Sequence, residues 1–326
     1  MKILYAIQGT GNGHVSRARE IILHLQKHGD VDLLISGTQA EVEIGAEVKY
    51  QFTGFGFVFG DKGGVDFRET WNRFYFNQFI KDAKSLPVKE YDLIINDFEP
   101  LCAWSCKFHG KPSVAMSHQS AYLSDKTPKI KRFHWGKMIM NNYAPATNHV
   151  AFHFKKYDDF IHTPVIRSEI RNLKTQNLGH YTVYLPAYSD KFILNKVKEV
   201  PDSQWQIFSK HSKHHYKKFN AEVFQIDNQQ FQNSLANCEG LLTGGGFEGP
   251  AEALFLGKKL LAVPMHHQYE QQCNALGLEE LGVPVIWKEN TFQEKLVSWV
   301  NSDKRVAVAF PDETEEIIRK TIEKYR

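Results

Sequence analysis

The chain has 326 residues, 42% of them hydrophobic and 24% charged, and a formal net charge of +3. That length supports two α/β domains, each with its own core. The charge is too slight to argue for nucleic acid, and no uncharged apolar run reaches the ~18–20 residues of a membrane span. Cys102, Cys106, Cys238 and Cys273 make neither a metal-ligand spacing nor a secreted disulfide framework, and no signal-peptide pattern follows Met1, so a cytoplasmic protein is expected.

Residues 2–8 (KILYAIQ) read as a short apolar strand and Gly9-Thr10-Gly11-Asn12-Gly13 as a turn. Residues 16–28 place Ala18, Ile21, Ile22 and Leu25 at helical spacing. Strands follow at 31–36 and 91–96, a helix at 100–109 and a strand at 112–117 (PSVAMS). The pattern restarts with strands at 181–185, 205–208, 222–226, 240–242, 259–263 and 283–287, and helices at 191–200, 229–237, 250–256 and 269–281. This rhythm predicts an α/β protein of two Rossmann-like, doubly wound parallel-sheet domains, joined near residues 155–180 and facing a central cleft.

The most informative stretch is residues 240–257, where an apolar strand ends in Gly244, Gly245 and Gly246 and a helix opens behind them. Bare backbone N–H groups in such a turn form an anion site, strengthened by the helix N-terminus. Glu252 sits about one turn inside that helix, where a carboxylate can receive ribose hydroxyls. A tight strand-to-helix turn of any α/β protein has the same pattern.

The first glycine loop lacks the Lys-Ser/Thr of a P-loop, and His14 stands where the third glycine of a dinucleotide fingerprint belongs. Asp32 lies at the start of the second strand rather than its end, which also argues against a nicotinamide enzyme. An imidazole at a helix mouth suits a general base, and equally a capping residue. At the end of the strand YDLIIN, Asp97 and Glu99 offer two acids to orient it, or a turn cap.

His211-Ser212-Lys213-His214-His215 lies among Lys210, Lys217 and Lys218, whose charge disfavours a metal, so a solvated loop is expected. His266, His267 and Glu270 have zinc-ligand chemistry, but no metal is expected. Residues 52–79 carry Phe55, Phe57, Phe59, Phe67, Trp71, Phe74, Tyr75 and Phe76, a core wall or a lip for a greasy acceptor. Residues 126–140 mix cations with Phe133, Trp135, Met138, Ile139 and Met140, which suits an anionic bilayer surface or a helix covering the core. His118 and Gln119, just past PSVAMS, are expected to face the cleft.

Together, Gly9-Thr10-Gly11-Asn12-Gly13-His14-Val15, the segment from Gly244 to Glu252 and the segment from Pro264 to Ala275 resemble the GT-B glycosyltransferases. The likeness is to the branch that contains the lipid-II-forming UDP-N-acetylglucosamine transferases, and more loosely to UDP-glycosyltransferases of small molecules. The resemblance implies an acceptor-side domain over residues 1–160, a nucleotide-sugar domain over 161–312, and a C-terminal helix, 313–326, packing back toward the first. It implies donor contacts from Gly244, Gly245, Gly246, Phe247, Glu248, Glu252, Gln268, Gln271 and Gln272, and more loosely Ser189. It makes His14 the base, with Asp97 or Glu99 behind it.

The activity implied is an inverting hexosyl or N-acetylhexosaminyl transfer from a nucleotide diphosphate sugar, a UDP-sugar above others, to a small-molecule or lipid-linked hydroxyl. A peripheral contact with an anionic membrane goes with a lipid-linked acceptor. No cofactor or metal is implied, because helix dipole and backbone amides carry the leaving-group charge. The alternative on the same scaffold is a nucleotide-sugar epimerase of the UDP-N-acetylglucosamine 2-epimerase type.

Overall fold

In a computed structural model, residues 1–37, 44–53, 75–131, 135–266 and 268–326 are described. The first sheet consists of β1 (Lys2–Gln8), β2 (Asp30–Ser36), β3 (Tyr50–Phe52), β4 (Leu93–Asp97), β5 (Val114–Ser117), β6 (Asn148–Phe152) and β7 (Ile161–His162). Its order is β3-β2-β1-β4-β5-β6-β7, and every pairing is parallel. β1 and β4 are near-continuous apolar runs because helices cover both faces of the sheet's centre.

The second sheet holds β8 (His180–Tyr184), β9 (Gln204–Ser209), β10 (Tyr216–Lys218), β11 (Ala221–Gln225), β12 (Gly240–Gly244) and β13 (Lys259–Val263). The order is β10-β11-β9-β8-β12-β13, parallel except for the short hairpin β10–β11. The two sheets share one logic. In each, the first strand in the chain sits mid-sheet; the next strands extend one way and later strands the other. The reversal falls between β1 and β4 in one sheet and between β8 and β12 in the other, and each reversal opens a crevice at the strands' carboxyl ends.

Among the described residues the helices of two turns or more are α1 (Asn12–Leu25), α2 (Phe76–Ser85), α3 (Pro100–His109), α4 (Trp135–Tyr143), α5 (Asp190–Val197), α6 (Asn228–Asn237), α7 (Glu248–Phe255), α8 (Tyr269–Leu281), α9 (Phe292–Val300) and α10 (Thr314–Tyr325). α1 begins four residues before the predicted helix, because Gly11 at φ 102° turns the chain straight into it. His14 therefore belongs to the first helical turn. The strand expected at 283–287 shrinks to one bridge, Ala262 to Val285. Pro284 has no N–H to give, and the Val283 N–H is spent on the Leu278 carbonyl at the end of α8. The terminal helix α10 packs on α1, with Lys27 Nζ 2.8 Å from Glu315.

Candidate active site

The crevice between β1 and β4 brings together groups far apart in sequence. Ile7 pairs with Asp97 across the two strands, so the loop after β1 and the end of β4 emerge side by side. His14 Nδ1 lies 2.8 Å from Asp97 Oδ1. Burial would raise the Asp97 carboxyl, but Arg17 and His14 outweigh it and hold the group below the usual carboxylate range. An ionised Asp97 accepts only, so His14 Nδ1 carries the proton and Nε2 offers its lone pair. The Gln119 side-chain amide donates to that Nε2 at 3.2 Å.

Glu99 does not reach His14. It is the N-cap of α3, accepting from the Leu101 and Cys102 amides at 2.8 and 2.6 Å and from the Ser36 hydroxyl at 2.5 Å. Burial pushes its carboxyl up to about 7, against those donors. Asn96 holds the Glu99 main chain from both sides, each bond 2.8 Å. The sharp turn leaves Phe98 at φ 55°, a strained conformation for a bulky residue. That turn sends Asp97 one way and Glu99 the other.

In the second sheet the glycine turn follows β12. A Cβ on Gly245 would come within 2.6 Å of the Gln271 carbonyl oxygen, so only glycine fits there, whereas Gly246 faces open space. The Gly245 N–H and the Met265 N–H both donate to the Gln271 side-chain oxygen, at 3.2 and 3.1 Å. The Asn274 amide donates to the Gly245 carbonyl at 3.0 Å. Gln268 caps α8 through the Gln271 N–H at 2.7 Å, and Ser189 caps α5 through the Phe192 N–H. Neither Ser189 nor Gln272 is among the residues that line the cleft cavity. Glu252 is buried and paired with Arg167 at 2.8 Å. Burial raises its carboxyl, with Arg167 pulling the other way.

The two crevices face each other across a cavity of about 470 Å³, within the ~300–1,000 Å³ usual for ligand sites. Thr10, Gly11, Asn12, Gly13 and His14 line it from one side, and Gly246, Phe247, Glu248, Gln268 and Gln271 from the other. Gly9 lies behind the loop, its N–H donating to the Ser36 carbonyl at 2.7 Å. A second cavity of about 630 Å³ adjoins on the far side of Glu248 and Glu252, walled by Tyr184, Phe208 and Phe231. His118 stacks on Phe247, ring centroids 3.9 Å apart, and gives its Nδ1–H to the Phe152 carbonyl. Burial lowers it to about 3, so it is a neutral wall of the cleft.

Several residues of the site were not singled out from the sequence for these roles. Arg17 donates to Asp97 at 2.6 and 2.8 Å and to Glu248 across the cleft. Arg167 meets Glu252, and Glu270, considered only as a metal ligand, lines the cleft with a carboxyl raised by burial. The helical spacing of His14 and Arg17 on one face of α1 was a usable signal for the first. Lys210 and His211, expected in a solvated loop, also line the cleft. His215 turns to Glu222, 2.6 Å away.

Among the described residues no group of three His, Cys, Asp or Glu side chains is placed to hold a metal ion, and no helix is long and apolar enough to cross a membrane. The aromatic residues 55–74, Phe133 and His267 lie outside the described residues. Of the basic segment, Lys126 pairs with Asp158 at 3.1 Å and Lys129 donates to the Tyr122 and Ser124 carbonyls, which leaves fewer free cations than the sequence promised.

Residues 1–302 match the model of glycosyl transferase family 1. No curated protein matches the chain in sequence. Among solved structures, MurG of Acinetobacter baumannii is similar at 11% identity, covering 98% of this chain and 94% of that one, with a TM-score of 0.54. UGT2 of Phytolacca americana, complexed with UDP-2-fluoro-glucose and pterostilbene, is similar at 12% identity, 99% and 90% coverage and a TM-score of 0.57. A protein described as a UDP-N-acetylglucosamine 2-epimerase from Listeria monocytogenes gives 9% identity, 99% and 95% coverage and a TM-score of 0.59. At these identities the likenesses show the fold alone, two facing Rossmann-like lobes.

Proposed function

We propose that this chain, which belongs to glycosyl transferase family 1 and is a GT-B glycosyltransferase, moves a sugar from a UDP-sugar to a hydroxyl with inversion at the anomeric carbon. The observation that carries this reading is the His14–Asp97 pair facing the glycine turn across one cavity. His14 Nε2 takes the hydroxyl proton as the acceptor oxygen bonds to the anomeric carbon. The bond from that carbon to the phosphate oxygen breaks on the opposite face. The departing diphosphate keeps the electron pair and rests on the turn at Gly246 and Phe247 and the N-terminus of α7, without a metal.

The nucleoside fits the adjoining aromatic-walled cavity, with its ribose at Glu252, and the sugar fits between Gln268, Glu270 and Gln271. UDP is favoured over other nucleotides because a fold neighbour was solved with a UDP-sugar analogue. The acceptor is a small molecule or a lipid-linked one; in the second case the exposed Met138 and the segment around it rest on an anionic bilayer. Salt-sensitive flotation with anionic liposomes tests that part, and no binding at low ionic strength would remove it.

A thermal-shift panel of UDP, GDP, dTDP and their sugars, followed by analysis of the product's anomeric configuration, tests the main reading. Stabilisation by another nucleotide alone would overturn the UDP assignment, and a retained configuration the displacement. The epimerase reading, which the fold likeness to the Listeria protein keeps open, requires an isomerised sugar to form without any acceptor.

A further inference from the structure

Arg17 stands one helical turn after His14 on α1, with its side chain only 2% exposed. Its Nη2 donates to both carboxylate oxygens of Asp97 and its Nη1 to Glu248 Oε1. Asp97 ends a strand of the first sheet; Glu248 opens α7, directly behind the glycine turn of the second. One buried guanidinium is therefore shared by carboxylates from the two lobes. The two lobes meet closely here, since a Cβ on Gly13 would lie 3.3 Å from the Glu248 side chain.

Two simpler roles fit less well. An ion pair that only stabilised the first lobe would need Asp97 and not Glu248. A cation meant for the donor diphosphate would keep a donor face open, but both terminal nitrogens are engaged by carboxylates. Asp97 Oδ1 is shared between Arg17 and His14, so Arg17 Nη2, which bonds both oxygens of Asp97, holds in place the carboxylate that His14 must meet.

We propose that Arg17 is a positioning residue for the transfer: it aims Asp97 at His14 and, through Glu248, makes that aim depend on where the donor turn sits. This deepens the base mechanism above and rests on it. Glu248 follows Phe247 in the chain, so a nucleotide sugar that settles the glycine turn also settles the far end of this bridge. With Glu248 ionised, Arg17 supplies one positive charge and Asp97 and Glu248 one negative charge each. The cluster is then one positive charge short until His14 takes its proton. Tyr5 on β1, Glu252 on α7 and Glu270 on α8 also face this cluster, and Arg167 holds Glu252.

The test uses the full chain with UDP-N-acetylglucosamine as donor and water as acceptor, following UDP release, with UDP affinity by calorimetry. Arg17→Gln should slow release by about 10²-fold, a sizeable part of what a general base contributes, while UDP affinity stays within about threefold. Arg17→Lys, which keeps the charge and loses the second arm that reaches Glu248, should recover about tenfold of that. Glu248→Gln should slow release, and adding it to Arg17→Gln should cost nothing more, because the two act through one bridge.

Wild-type release from Arg17→Gln, in a preparation where His14→Ala is impaired, overturns the inference and leaves the base reading standing. Wild-type release from His14→Ala overturns the base reading and this inference with it. Should Arg17→Gln fail to fold, Arg17→Lys and Glu248→Gln carry the comparison, and losses that multiply independently overturn the coupling.

Discussion

His14 Nδ1 and Asp97 Oδ1 meet at 2.8 Å although 83 residues separate them, and the reversal of strand order between β1 and β4 is what joins them. His14→Ala should lower turnover by ~10²–10⁴-fold, with UDP affinity unchanged because the glycine turn is on the other lobe. Asp97→Asn should lose less, since the amide still offers an oxygen to Nδ1–H. Steady-state kinetics with calorimetry checks both, and an intact rate in His14→Ala would falsify the assignment.

Glu99 gives the contrasting outcome. Its carboxylate caps α3 and meets Ser36, so Glu99→Ala should cost about 1–3 kcal/mol of stability through the lost cap and unmet donors. Turnover per folded molecule should stay near wild type. Denaturant melts beside active-site titration separate the two effects; a specific loss of rate at full stability would return Glu99 to the chemistry.

Glu252→Gln should weaken UDP binding by about 1–3 kcal/mol by removing a charge-assisted acceptor for ribose. The variant keeps the shape of the side chain beside Arg167, which Glu252→Ala would leave buried with only the longer 3.5 Å contact to Glu169. Unchanged affinity by calorimetry would take the ribose away from Glu252.

Gly245→Ala tests the turn itself. The added methyl would sit 2.6 Å from the Gln271 carbonyl, so either the turn or the start of α8 must move. Donor affinity should drop while His14 keeps its contacts. Gly246→Ala, where nothing stands within 4 Å, should fold normally and lose affinity only if a ligand fills that space.

Stability should also depend on pH in a stated direction. Burial holds Glu99 and Glu248 up to about 7, with Ser36 and its amides opposing at the first and Arg17 at the second. A carboxyl raised in the folded state binds its proton more tightly than in the unfolded chain. Its contribution is therefore complete below the ordinary value and disappears as pH rises through about 7. The melting temperature should fall between about pH 5 and 8, and Glu248→Gln should flatten part of that slope. Asp97, held low, acts oppositely, and its contribution is lost only in more acidic solution. A melting temperature that rises steadily from pH 5 to 8 would contradict the assignment.

What was legible in the sequence was local. The apolar runs at 2–8, 91–96 and 240–242 and the glycine turns behind two of them are short-range signals, and they coincide with the strands and turns that border the cleft cavity. Contacts that depend on how two sheets face each other left no such trace. Nothing near Arg17 in sequence points to Glu248, and nothing near Arg167 points to Glu252. A serine after a strand reads equally as a phosphate contact or a helix cap, and the Ser189 hydroxyl caps α5. Of the start of α8, Glu270 and Gln271 line the cleft cavity and Gln272 does not, a choice of helix face that the run of polar residues did not reveal. β6 and β7 escaped notice because only Val150-Ala151-Phe152 and a single Ile161 are buried in them.

The β10–β11 hairpin bears on how the molecule behaves among its own copies. A parallel sheet that simply stopped at β11 would leave a ladder of unpaired amides and carbonyls open to any passing strand. Phe219 and Asn220 instead fold the chain back, and β10 covers that margin with three residues, two of them the exposed Lys217 and Lys218. Such a margin is too short and too charged to template a neighbour, so the second lobe can stand at high concentration without zipping onto its twin.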